Sequence, residues 1–171
     1  YAHSANAGML DIVAALEWVR ANIERFGGDP GRVMIFGQSG GGGKVTALMA
    51  MPAARGLFQR AAVQSGSILH MGDPEDTGRL AALVLDELGL KPERLDALHT
   101  LPAERLLAAG QAAVRRLVAE ANVSGPLTFD RLALRLGWMP SVDGRDLPRH
   151  PFEPDAPALS ADVPLLVGTN R

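Results

Sequence analysis

Apolar residues recur at three- and four-residue intervals from Met9 to Phe26, taking in Met9, Ile12, Val13, Leu16, Val19, Ile23 and Phe26. That period places them on one stripe of an amphipathic helix over Met9 to Phe26, which Gly27 and Gly28 stop. Asp29-Pro30-Gly31 predicts a turn, because Pro fixes φ at a corner and Gly lets the chain leave it freely. The β-rich apolar run Val33-Met34-Ile35-Phe36 predicts a short buried strand, and Ala61-Ala62-Val63-Gln64 a second strand after a turn at Phe58. Between them, Lys44 to Met51 has helical composition and ends at Pro52. Strand, helix, strand is the unit of a parallel sheet, so the fold class is α/β.

Farther along, Asp73-Pro74-Glu75 reads as a helix start, with a capping residue, a Pro in the first turn and an acid facing the dipole. Leu80, Leu83, Val84 and Leu88 follow before Gly89 ends the helix, and Pro102 opens another with Leu106, Leu107, Val114, Leu117 and Val118. Residues 73–121 are thus a helical excursion of roughly 50 residues before the next strand candidate, longer than a βαβ crossover needs, and an inserted lid or cap is the natural reading. Trp138 to Pro157 holds prolines at 140, 148, 151, 154 and 157 and is expected to run irregularly over the surface. Val163 to Val167 predicts the last strand, so that 133–171 comprises an irregular stretch and a final strand.

Composition narrows the possible functions. The 171 residues carry 17 Lys+Arg against 19 Asp+Glu, a net charge of −2, so no strong field draws the chain to nucleic acid or a membrane surface. Its apolar runs are too short to span a bilayer. The absence of Cys excludes a disulfide scaffold, a thiolate metal site and a Cys nucleophile, and leaves the redox compartment open. Residues Tyr1 to Asn6 have neither the basic start nor the apolar stretch of a signal peptide. The location stays open with the cytoplasm favoured, and a chain that opens at Tyr1 without Met is expected to be a piece of something longer.

The chemical centre is Gly37-Gln38-Ser39-Gly40-Gly41, a Gly-x-Ser-x-Gly pattern between the first strand and its helix. A Ser at so sharp a turn takes a strained backbone and stands clear of the sheet, while small neighbours let the helix pass close behind the strand. The amide of Gly40, at the helix start, then points where a carbonyl oxygen becomes negative during attack. Gly and Ser are common enough that the pentapeptide alone also suits a plain chain-turning loop; the flanking strand and helix decide for a nucleophile. A phosphate-cradling loop ending in Gly43-Lys44 fails, because its leading Gly falls on Gln38 and its Ser/Thr on Val45.

The chain resembles the type-B carboxylesterases of the α/β-hydrolase fold, a group that includes para-nitrobenzyl esterases and cholinesterases. The likeness lies in several separate blocks in the family's order. These are Asn6 to Asp11 with Ala15-Leu16-Glu17-Trp18-Val19, then Asn22-Ile23 and Phe26 to Pro30, and Phe36 to Ser39 with its trailing glycines. Ala54 to Phe58, Gln64-Ser65-Gly66, Val142-Asp143-Gly144 and Val163 to Asn170 complete them. The resemblance implies that residues 1–171 belong to a single, partial α/β-hydrolase domain, with 1–67 as its nucleophile-bearing core. It implies that Ser39 is acylated and that Gly40 donates one oxyanion hydrogen bond. Gln38 and Gly40 depart from the family's usual Glu and Ala, and neither change removes the mechanism.

In that family the triad acid is a Glu just beyond a strand like Val163 to Val167, and a Gly-rich oxyanion segment precedes the first helix. Both, with the His, are expected outside the 171 residues, and the fragment alone is expected to be inactive. His3, His99 and His150 read as solvated or structural. His70 reads as a pocket wall, and Ser67, Ile68, Leu69 and His70 are expected to shape the substrate pocket where the chain leaves the carboxyl end of a strand. Asp143 and Asp146 flank a turn glycine and read as turn formers. No metal-ligand spacing appears and no cofactor is required. The expected partner is a small-molecule ester, with the oligomeric state open. The alternative is a non-catalytic member of the same fold that presents its surface to a partner protein, a reading against which the presence of Ser39 counts.

Overall fold

The computed structural model describes residues 3–120 and 137–170; residues 1–2, 121, 133–136 and 171 of the segments expected above lie outside them. These residues divide into two compact units, 3–71 with 140–170 and 72–120 with 137–139.

The first unit is built on a three-stranded parallel sheet in the order β1-β2-β3, with β1 at Met34–Gln38, β2 at Arg60–Gln64 and β3 at Leu165–Gly168. Register pairs Phe36 with Ala62 and Ala62 with Leu166, and Gly37 with Val63 and Val63 with Val167. Helix α1 spans Ala7–Asn22 and α2 spans Gly40–Ala50. Met9, Val13 and Leu16 of the expected stripe are buried, as are Val45, Leu48 and Met49 of α2 and all three central residues of β2.

Several boundaries differ from those expected. The helix expected to reach Phe26 ends at Asn22, whose side-chain amide donates to the Trp18 carbonyl at 2.9 Å. A 3-10 turn over Ile23–Phe26 follows, closed by Gly27 at φ 83° and by a Gly28 N–H to Ile23 carbonyl bond of 3.0 Å. Phe26 is consequently exposed. Helix α2 starts four residues before Lys44 because the glycines are themselves helical. The first strand is one residue later at its start, since the Val33 N–H and carbonyl are taken by the side chain and backbone of Gln59.

The first strand is also not buried. Phe36 is 71% exposed and Leu166, on the same sheet face, 69%. The cause is the layer order: α2 covers the face that carries Gly37 and Val63, and among the described residues the opposite face of β1 and β3 is left open. Strand β3 starts at Leu165 rather than Val163, whose N–H is held in a 3-10 turn by the Ser160 carbonyl.

The second unit is an α3–α4 hairpin, with α3 at Pro74–Leu88 and α4 at Ala103–Glu120, joined through 3-10 turns over Pro92–Thr100. Asp73 holds the N-cap position and Gly89, at φ 67°, ends α3. Leu80, Ala113 and Leu117 form the buried centre, with Leu83, Val84, Val114 and Val118 packed around it. Leu107, expected on the apolar face of α4, is exposed; the buried residues of α4 are instead Ala109, Gly110, Ala113 and Leu117, with the Trp138 ring against Gly110. Outside the hairpin core, Arg116 holds Asp86 and Glu87 at 2.7 Å each.

Candidate active site

Ser39 sits between β1 and α2 with φ 54° and ψ −119°, a region that non-glycine residues enter at a cost of about 1–3 kcal/mol. The surroundings over-determine this conformation. The Ser39 N–H donates to the Gln64 carbonyl at 2.9 Å, and its own carbonyl accepts the Gly43 N–H at 3.1 Å. Close packing adds a second constraint. A Cβ on Gly37 would lie 2.3 Å from the Gly41 carbonyl carbon, and one on Gly66 would lie 2.1 Å from the Ser39 carbonyl oxygen. Glycine is therefore required at 37 and 66 by backbone contact. A Cβ on Gly41 meets no atom within 4 Å, so the third position of the motif is not crowded by the described residues.

The resulting side chain is exposed at the carboxyl end of the strands. Gly40 is the first residue of α2, so its N–H has no intrahelical acceptor and is free to bind an anionic oxygen beside Ser39. One orphan amide next to an exposed, strained hydroxyl is the chemical content of the site.

Ser67, Ile68, Leu69 and His70 leave the end of β2 together. The Ile68 side chain lies against Gly43, and its carbonyl sits 2.8 Å from the Thr46 hydroxyl, which is also 2.8 Å from the Gly43 carbonyl. Ser67 and Leu69 are exposed. His70 pairs through Nδ1 with Glu153 at 2.5 Å and stacks on His150, with ring centroids 3.6 Å apart. His150 in turn accepts the Met71 N–H on Nδ1 at 3.2 Å. No local spacing announces this group, because its members are some 80 residues apart and meet only through the fold.

Two further features escaped the sequence pattern. Ser65 also has a positive φ of 50°, one residue beyond Gln64, the register partner of Gln38. Its N–H donates to Gly168 at 2.7 Å, and its hydroxyl accepts the Asn170 N–H at 3.4 Å. The other concerns Asp146, which is buried and pairs with His3 Nδ1 at 2.7 Å rather than serving as a turn former. Asp143 does form the turn, accepting the N–H groups of Arg145, Asp146 and Leu147 on one oxygen.

A concavity of about 480 Å³ lined by Ala50, Pro148, Arg149 and Leu159 lies at the far end of α2. Ten helical residues, about 15 Å of rise, separate Ala50 from Gly40, so this hollow does not serve Ser39.

Compared with known proteins, residues 2–171 match the model of the carboxylesterase family. The para-nitrobenzyl esterase of Bacillus subtilis (strain 168) is 41% identical over 170 residues, covering 99% of this chain and 32% of that protein. A solved PNB esterase superposes with a TM-score of 0.79 at 42% identity, covering 96% of this chain and 32% of its own. A solved esterase from the anaerobe Clostridium hathewayi, described as able to hydrolyse aliphatic aromatic polyesters, gives 0.78 at 39% identity over 99% of this chain and 32% of its own. The chain thus spans about a third of the length of these relatives. With that likeness, the parallel strands and their helices are part of an α/β-hydrolase fold, as the motif blocks led us to expect.

Proposed function

The chain belongs to the carboxylesterase family, and from that premise we propose that the protein carrying it hydrolyses carboxylic esters through Ser39. The observation that supports this most is the strained Ser39 backbone, held by Gln64, Gly43 and Gly66 so that an exposed hydroxyl stands beside the orphan amide of Gly40. The reaction runs in two acyl transfers. Ser39 Oγ attacks the ester carbonyl as its proton passes to a general base, the Gly40 N–H holds the oxyanion, and collapse expels the alcohol, which takes up the proton. Water then attacks the acyl-serine by the same path and releases the acid. In this reading the base, its orienting acid and a further oxyanion donor belong to segments outside the 171 residues. On the same reading Ser67, Ile68, Leu69 and His70 line the acyl side of the pocket.

The test uses the full-length protein. Ser39→Ala lowers kcat on an activated ester by about 10⁴-fold or more while the thermal midpoint stays close to wild type. Retained turnover in a folded Ser39→Ala protein contradicts the proposal.

A further inference from the structure

Lys44 is the fifth residue of α2, and its side chain folds back toward the start of the helix, so that Nζ lies 4.0 Å from where a Cβ on Gly40 would stand. Residues 40–43 are all glycine, which leaves Lys44 as the first side chain of the helix. It is exposed, and no hydrogen bond or ion pair to another described residue engages it. No acidic side chain in the first turn of α2 balances it. Helix stability gives no reason for the placement, since an ammonium folded back over the first turn opposes the helix dipole. Packing gives none either, since Lys44 is exposed among the described residues.

We propose that Lys44 is a specificity-determining residue that favours esters bearing a carboxylate of their own, two or three carbons from the scissile carbonyl, as in the half-esters of dicarboxylic acids. This rests on the reading of Ser39 as nucleophile and of the Gly40 amide as oxyanion donor. A carbonyl oxygen bound at that amide sets the substrate less than about 10 Å from Nζ, and a carboxylate on a short arm closes that gap to come within ion-pair distance of an ammonium that no described acid engages. An unpaired charge pair at such range in a partly solvated site is worth about five- to tenfold in affinity. A neutral ester of the same length gains nothing from it.

The experiment compares ethyl hydrogen succinate with ethyl pentanoate on the full-length protein, followed by pH-stat titration. The quantity read is the ratio of kcat/KM for the anionic ester to that for the neutral one. Lys44→Gln lowers this ratio about five- to tenfold, Lys44→Glu lowers it further, Lys44→Arg restores it, and 1 M KCl compresses the wild-type ratio toward that of Lys44→Gln. A ratio unchanged in Lys44→Gln and Lys44→Glu overturns the proposal, as does an equal loss on both esters, which would place Lys44 in the general reaction rather than in recognition. Failure of the wild-type protein to turn over either ester instead overturns the reading of Ser39, and the present proposal with it.

Discussion

A methyl group at position 66 would meet the carbonyl oxygen of Ser39 at 2.1 Å, and neither partner is a flexible side chain that can step aside. Gly66→Ala is therefore expected to destabilise by about 1–3 kcal/mol and to tilt the elbow, with Gly37→Ala behaving alike. Gly41→Ala is the control: it sits in α2 with no atom within 4 Å of the added Cβ, and the substitution should raise stability by up to about 1 kcal/mol. Thermal midpoints of the three variants check this, and an equal loss at 41 and 66 would contradict it. At this scale the sequence was informative about Ser39, Gly37 and Gly40, because strand, Ser and helix are contiguous. It was silent on why position 66 must be glycine, since that contact is made across the sheet by a residue 27 positions later.

Among the elements, α1 and the loop around Asp143 are joined by a buried polar network. Asn6, almost wholly enclosed at the head of α1, donates to the Ser141 carbonyl at 2.8 Å and to Asp143 at 3.0 Å, and accepts the Ser141 N–H at 3.1 Å. Burial alone pushes the Asp143 carboxyl upward, but the N–H groups of Arg145 and Leu147, the Asn6 amide and the Asp146 N–H outweigh it and hold the carboxyl below its ordinary value. A depressed folded-state value means that Asp143 stabilises fully above its unfolded value of about 3.9 and that this contribution is lost as pH falls through the lower folded value. Asp143→Asn should cost about 1–3 kcal/mol near pH 7, with the gap to wild type closing as pH falls below that unfolded value. Urea midpoints across pH read this, and a constant gap would contradict it. Asp143 was legible as a turn former because its partners follow it directly. Asn6 was not legible as a core polar residue, for its partners lie 135 and 137 positions away.

For the whole molecule, the layer order leaves one sheet face uncovered in the described residues, with Phe36 and Leu166 side by side across Ala62. An apolar face above two open strand edges favours association. The 171-residue chain expressed alone is expected to self-associate and bind a hydrophobic dye, and Phe36→Lys with Leu166→Lys should reduce both, as light scattering and dye fluorescence would show. A monodisperse wild-type chain without dye binding would contradict this. The sequence pattern predicted a buried β1 because a continuous apolar run is what a strand covered on both faces looks like. That run records the need for cover on the second face, which the described residues do not supply. The hairpin of α3 and α4 was legible from its periodicity, whereas the exposure of Leu107 was not, since the buried positions of α4 include the small residues Ala109, Gly110 and Ala113, which a search for large apolar side chains passes over.

Every other functional expectation depends on Ser39 being the nucleophile of the full-length protein. Treating the full-length protein with a fluorophosphonate and locating the adduct by peptide mass spectrometry tests it most directly. One stoichiometric adduct is expected on the peptide containing Ser39, absent in Ser39→Ala. An adduct on Ser65 or Ser67 with Ser39 unmodified would contradict it.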